Sequence, residues 1–234
     1  AILNALLQIP VVSDFRTQDV ANGGQGAPLV PKVDFDLFSE YDACLNLGGI
    51  ANISIKNEQV AYDICLCNMV LNDYCEANNL KYDHNGEIAK SGKVNLEVLE
   101  KLNNWKYYQQ STPKSLGKES LEEIKSLIGE NLVFSDVLTT LVEHISTRIS
   151  FEINRYNVLS ILISGGGSFN LFMFDKIKSK LKREMAVHSS ETLNNSKEAL
   201  AFSYLGYLRW SEQINVLKNV TGASRSIVAG SVYL

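Results

Sequence analysis

The sequence predicts an α/β domain, a mixed sheet with flanking helices, and three observations carry that prediction. Between Ala43 and Asp63, three short segments alternate apolar and polar residues, with turns at Gly48-Gly49 and Lys56-Asn57-Glu58, the pattern of an antiparallel meander. From Asn68 to Asn154 apolar residues recur three or four positions apart, the period of helices. A compact apolar run from Val158 to Ser164 then ends in Gly165-Gly166-Gly167-Ser168 and passes into a further helical pattern, as a buried strand feeding a helix does.

In chain order, Ile2 to Leu7 reads as the end of a helix running into a strand at Val11 to Asp14. Asp14 to Pro31 holds three glycines and two prolines among charged residues, which predicts an irregular but ordered loop. Long ordered loops tend to be functional. The meander follows, its last strand running from Gln59 to Asp63. Helices are expected over Asn68 to Asn78, Asn95 to Leu102, Ser120 to Ile128 and Ser135 to Asn154, with Ser135-Asp136 as a helix start. Beyond the strand at Val158 to Ser164 come a helix over Leu171 to Lys182, a short strand near Met185 to His188, and a last helix over Ser196 to Trp210.

At 234 residues, 45% hydrophobic and 21% charged, the chain is long enough to bury a real core and has the composition of a globular domain. A net charge of -4 offers no basic excess for a nucleic-acid backbone or an anionic membrane, so both partners are disfavoured. No apolar run reaches the roughly 20 residues of a membrane span, and no signal-peptide pattern opens the chain, which points to the cytoplasm. Cys44, Cys65, Cys67 and Cys75 show no CxxC spacing, and His84, His144 and His188 are scattered singly. Reduced structural thiols and no metal site are the expectation. The chain lacks an initiator Met and begins inside a helix end, so it reads as part of a longer protein.

The chemistry concentrates around Gly48-Gly49 and Asp63. A glycine turn lets a ligand approach bare backbone N–H groups, as a phosphate requires, and a carboxylate at the end of the next strand can point toward it. The competing reading is a structural hairpin followed by a helix N-cap aspartate. Gly165-Gly166-Gly167 has two compatible readings, a nucleotide lying against backbone at a helix start or a close strand-to-helix crossing. Arg16 is a natural clamp for an anion, or a partner of Asp14 or Asp19 within its own loop. Glu198 complements a helix dipole by position alone. Lys114, in Pro113-Lys114-Ser115-Leu116-Gly117-Lys118, lacks phosphate-loop spacing and reads as a structural or interdomain contact.

Three antiparallel strands followed by alternating helix and strand resemble the ribonuclease-H-like domain that is duplicated in the actin, Hsp70 and sugar-kinase superfamily. Seven blocks sharpen this. They are Asp14-Phe15-Arg16 through Gly23-Gly24-Gln25-Gly26-Ala27-Pro28-Leu29-Val30-Pro31, Asn46-Leu47-Gly48-Gly49-Ile50-Ala51-Asn52, Tyr62-Asp63, Pro113 through Glu119, Gly165-Gly166-Gly167, Glu198-Ala199-Leu200-Ala201-Phe202, and Val220-Thr221-Gly222-Ala223. In that order they resemble the successive motifs of the anhydro-N-acetylmuramic acid kinase family. The resemblance implies the second lobe of a two-lobed kinase: residues 1–30 close the first lobe and the interlobe loop, and 31–234 form the ribonuclease-H-like lobe with a helical insertion at about 68–155.

What the resemblance further implies is an ATP- and Mg²⁺-dependent kinase of peptidoglycan recycling that opens the 1,6-anhydro ring of its amino sugar with water and phosphorylates O6. By match to the family's motifs, Asp63 is the base that activates water. Arg16 and Glu198 then bind the sugar, and Gly48, Gly49, Asn52, Gly165, Gly166 and Gly167 face ATP. The family habit also implies a homodimer. Two departures stand out. Where the family reads Asp-Thr-Gly-Pro-Gly-Asn, this chain has Asp63-Ile64-Cys65-Leu66-Cys67-Asn68; if those glycines admit a phosphate or sugar, Cys65 and Cys67 would crowd it, but Asp63 and Asn68 keep their spacing and a variant with retained activity is expected. The family's amino-terminal third, with its own phosphate loop, has no counterpart. A non-catalytic actin- or Hsp70-like binding module and a kinase for another sugar are the alternatives.

Overall fold

The computed structural model describes the backbone of residues 1–234 and every side chain except those of Glu191, Leu193 and Asn195. The elements in chain order are α1 (Ile2–Leu7), β1 (Val11–Ser13), α2 (Thr17–Ala21), α3 (Pro31–Leu37), β2 (Ala43–Leu47), β3 (Ile50–Ile55), β4 (Val60–Leu66), α4 (Asn68–Ala77), α5 (Glu87–Ser91), α6 (Leu96–Asn103), α7 (Glu119–Ile128), α8 (Phe134–Arg155), β5 (Ser160–Ser164), α9 (Leu171–Ser179), β6 (Ala186–Ser189), α10 (Glu191–Trp210), α11 (Lys218–Thr221) and β7 (Ser231–Tyr233).

The main sheet has the order β4-β3-β2-β5-β6, with β3 antiparallel to both β4 and β2, and β2, β5 and β6 parallel to one another. This is the ribonuclease-H-like plan that the element order predicts. Its two faces differ because side chains alternate along each strand. Leu45, Ile53, Tyr62 and Ile163 are fully or almost fully buried in one cluster with Leu138, Leu141, Ile145, Ile149 and Ile153 of α8. Those α8 residues recur at three- and four-residue spacing, and each buried aliphatic side chain contributes roughly 1.5–3 kcal/mol. The helices of the 68–155 region therefore cover one face of the sheet. A second cluster joins Phe15, Leu29 and Val33 to Ala201 and Leu205 of α10 and to Val216, Ile227 and Ala229.

The opposite face is tied down by polar contacts as well. The Ser54 hydroxyl donates to the Asp34 carboxylate of α3 at 2.8 Å, and Asp34 pairs with Lys197 of α10 at 2.8 Å. Residues 14–30 form the ordered segment the sequence predicts, although it includes the short helix α2. Asp19, fully buried, organises it by accepting the Gly26 N–H at 2.8 Å and the Thr221 hydroxyl at 2.7 Å. Strand β1 pairs antiparallel with β7, Val11 against Tyr233.

Three local expectations are corrected. Pro31–Leu37 is helical where no element is predicted, and Pro31 sits in its first turn, where a missing N–H costs nothing. Helix α10 begins at Glu191, five residues before the predicted Ser196. Asp63 does not end its strand: β4 continues to Leu66, and Asp63 lies in its middle on the sheet edge.

Candidate active site

Asp63 owes its direction to a β-bulge. Across β3 and β4, Asn52 pairs with Asp63 and Ala51 with Cys65, so Ile64 is an extra residue in β4. In a regular strand Cys65 would share the face of Asp63. The bulge turns it to the other face, where Cys65 and Cys67 are both fully buried in the α8 core and Cys67 Sγ lies 3.9 Å from Met173 Sδ. Neither cysteine side chain therefore lies on the Asp63 face. The extra residue sends both sulfurs into the core and leaves the Asp63 face clear.

Directly opposed residues on paired strands share a face. The pairings Ser164 with Asn46, Asn46 with Asn52, and Asn52 with Asp63 thus lay four polar side chains in one row across the sheet. The row lies at the carboxyl ends of the parallel strands β2 and β5, where α/β sheets bind ligands. Among the described residues the half-buried amides of Asn46 and Asn52 have no hydrogen-bond partner, so both keep donors and acceptors for a ligand.

Asp63 is held on the outer edge of β4 by the segment following α6. Its carboxylate accepts the Leu116 N–H at 2.8 Å, its N–H donates to the Lys114 carbonyl at 3.3 Å, and its own carbonyl accepts the Tyr107 hydroxyl at 2.6 Å. Burial pushes its pKa up from 3.8 to about 6, against a smaller opposing effect of the Leu116 hydrogen bond. A carboxylate so tuned is still ionised at neutral pH and is a far better proton acceptor than an ordinary aspartate. Lys114 is buried, with Nζ 4.6 Å from the Tyr107 ring centroid and 5.6 Å from that of Tyr62.

The turn after β2 is built against the start of α4. The Gly49 carbonyl accepts the N–H groups of Cys67 and Met69, the Gly48 carbonyl accepts that of Asn68, and the Asn68 side chain donates to the Leu47 carbonyl. The three glycines after β5 divide. A Cβ on Gly165 would lie 2.5 Å from Asn46 Oδ1, and one on Gly167 would lie 2.9 Å from Leu47, so both serve a close crossing over β2. Gly166 faces open space. It lines a cleft of about 620 Å³ together with Asn68, Tyr82, Asn85, Phe169 and Leu171. The half-exposed rings of Tyr82 and Phe169 give that cleft the apolar walls a planar base requires.

Arg16 and Glu198 lie apart from this row. The exposed Arg16 guanidinium donates to the Gly26 carbonyl, while Asp14 engages Thr17 and Asp19 engages Gly26 and Thr221. The intraloop ion pair weighed from sequence is therefore not formed. Glu198 is exposed on α10, one turn before Phe202, whose ring meets Phe15 at 6.0 Å beside Arg16. Neither side chain contacts Asp63. Asn46, Ser164, Asp34 and Lys197 escape sequence reading, because only strand register reveals the first two and only helix packing the others.

Among the described residues no three His, Cys, Asp or Glu side chains gather as a metal cluster. His144 bonds Asn103 and Tyr108, and burial, then the neighbouring Arg148, lower its pKa to about 3, which keeps it neutral. All four cysteines are free and buried. No described helix is long and apolar enough to cross a membrane.

The family model for anhydro-N-acetylmuramic acid kinase matches residues 1–234. The chain belongs to the anhydro-N-acetylmuramic acid kinase family. It is 35% identical over 251 residues to the anhydro-N-acetylmuramic acid kinase of Sulfurimonas denitrificans, covering 99% of this chain and 68% of that protein. The kinase of Sulfurovum sp. is 35% identical, covering 97% and 65% of the two chains, and that of Clostridioides difficile 33% identical, covering 95% and 63%. The chain thus spans about two thirds of the length of these relatives.

Proposed function

We propose that this chain forms the second lobe of an ATP-dependent kinase acting on 1,6-anhydro-N-acetylmuramic acid in cell-wall recycling. The observation that carries the reading is the bulge that sets a half-buried Asp63, with its pKa near 6, beside two unpartnered amides at the ligand-binding end of the sheet. Asp63 takes a proton from water as the water oxygen bonds to the anomeric carbon. The bond from that carbon to O6 breaks, and O6 bonds to the γ-phosphorus as ADP leaves. One water, one ATP and one sugar are consumed, and the product is N-acetylmuramic acid 6-phosphate.

ATP supplies the phosphoryl group when bound. Gly48 and Gly49 at the turn, Asn46 and Asn52 in the row, and Gly166 with Tyr82 and Phe169 in the cleft are the groups suited to hold it. Among the described residues no three His, Cys, Asp or Glu side chains gather as a metal cluster, and no step here is routed through Mg²⁺. The exposed Arg16 holds the lactyl carboxylate and Glu198 the sugar hydroxyls. The family habit adds a homodimer working in the cytoplasm.

The test is ADP release by the intact protein with and without the anhydro sugar. Release that requires the sugar and matches phosphosugar formation supports the reading; ADP without phosphosugar, or no turnover, refutes it. Arg16→Ala should raise KM for the sugar about 10- to 100-fold, the worth of a charge-assisted hydrogen bond, with kcat largely kept. The same variant should behave as wild type toward an anhydro amino sugar lacking the lactyl group.

A further inference from the structure

The residues that would do chemistry on this sheet are supported from one side by a strap. Residues 105–116 leave α6, run along the outer edge of β4 and satisfy that edge at a single residue. Asp63 makes three hydrogen bonds there: its carbonyl accepts the Tyr107 hydroxyl at 2.6 Å, its carboxylate accepts the Leu116 N–H at 2.8 Å, and its N–H donates to the Lys114 carbonyl at 3.3 Å. An edge strand otherwise leaves such groups to water. The bulge beside Asp63 makes this the point of β4 where the ladder to β3 is most irregular, so β3 alone fixes its direction poorly.

Tyr107 acts on that residue through its hydroxyl. Its ring is buried, stacks on Trp105 at 5.1 Å, lies edge-on to Tyr108 at 5.8 Å and carries the Lys114 ammonium over its face. Trp105 is anchored in turn, its indole N–H donating to Glu123 of α7 at 2.9 Å. The hydroxyl is the one polar group of this aromatic stack that reaches β4.

We propose that Tyr107 is a positioning residue for the proposed base, its hydroxyl fixing the Asp63 backbone so that the Leu116 N–H and the ligand-facing row meet the carboxylate in one geometry. This rests on the reading of Asp63 as base. The groups facing Asp63 from the strap are the Leu116 N–H, the Tyr107 hydroxyl and the Lys114 backbone; from β3 it is opposed by the Asn52 amide. Loosening the strap weakens the Leu116 hydrogen bond, which favours the charged carboxylate, so the carboxyl should titrate at higher pH.

The test compares wild type with Tyr107→Phe in the intact protein, using carbon-13 NMR titration of labelled aspartate, with Asp63 assigned by its loss in Asp63→Asn, alongside steady-state kinetics. Tyr107→Phe should lower kcat about tenfold with both KM values within about twofold, and should move the Asp63 titration and the acid limb of kcat upward together. A merely structural role would change the unfolding midpoint and leave both titrations in place, and that result overturns the proposal. An Asp63 titration that shifts while kcat does not follow overturns Asp63 as base and leaves the strap geometry standing. If Tyr107→Phe does not fold, replacing Leu116 by its α-hydroxy analogue removes only the N–H donor. The Asp63 titration should then rise by about one pH unit, the worth of a hydrogen bond to a charged group, and no rise overturns the proposal.

Discussion

Replacing Asp63 by asparagine is expected to lower kcat by roughly 10²- to 10⁴-fold, the usual worth of a positioned general base, with ATP binding kept. Activity within a few fold of wild type would remove Asp63 from that role. The pH dependence carries the same signature. The base acts only when ionised, and burial raises its pKa to about 6, so the wild-type rate should fall as pH drops through about 6, whereas an ordinary aspartate would keep working to about pH 4.

The same burial has a price in stability whose sign is opposite to that of a salt-bridged carboxylate. The folded pKa lies above the ordinary 3.8, so the folded protein holds this proton more tightly than the unfolded chain does. The favourable contribution is fully present below about pH 4 and is lost as pH rises through about 6. At neutral pH the charged carboxylate destabilises the fold by at most ~3 kcal/mol. Asp63→Asn should therefore unfold at higher temperature than wild type at pH 7.5, and the gap should narrow at pH 5. A variant that is less stable at pH 7.5 would contradict the burial of this charge.

The largest stability effect is expected at Gly165. Its φ of +88° lies in the left-handed region, and an added Cβ would stand 2.5 Å from Asn46 Oδ1 and 2.7 Å from the Leu47 carbonyl carbon. The backbone penalty of about 1–2 kcal/mol and overpacking of about 1–3 kcal/mol put Gly165→Ala at roughly 2–5 kcal/mol. Urea unfolding checks this. The control is its neighbour: Gly166 has nothing within 4 Å of a built Cβ, so Gly166→Ala should leave the urea midpoint nearly unchanged and act on KM for ATP. Equal midpoints for the two variants would show that the close approach of the turn after β5 to the end of β2 is not what the first glycine serves.

What local sequence pattern encodes and what it does not divide along physical lines. Strand alternation and helix period are local, and they revealed β2 to β4, the long helix α8 and the strand-glycine-helix passage at β5 in nearly their observed positions. The row of Ser164, Asn46, Asn52 and Asp63 is a matter of register, which no local pattern encodes. The bulge at Ile64 is the sharpest case. A strict two-residue period sets Cys65 beside Asp63, and one unpaired residue reverses that, so a sequence that departs from its family's glycines still leaves the Asp63 face open. Arg16 was legible as either an anion clamp or a contact within its own loop. Its true partner, the Gly26 carbonyl, was not, because it depends on how Asp19 folds the loop.

The measurement that tests the central claim most directly is mass spectrometry of the sugar product after the intact protein is incubated with ATP, Mg²⁺ and 1,6-anhydro-N-acetylmuramic acid in heavy-oxygen water. A product carrying one phosphate and one heavy oxygen at the anomeric position is the expected result, and its yield should collapse in Asp63→Asn. Absence of any phosphosugar, or a phosphosugar formed without solvent oxygen, would contradict a kinase in which Asp63 activates water.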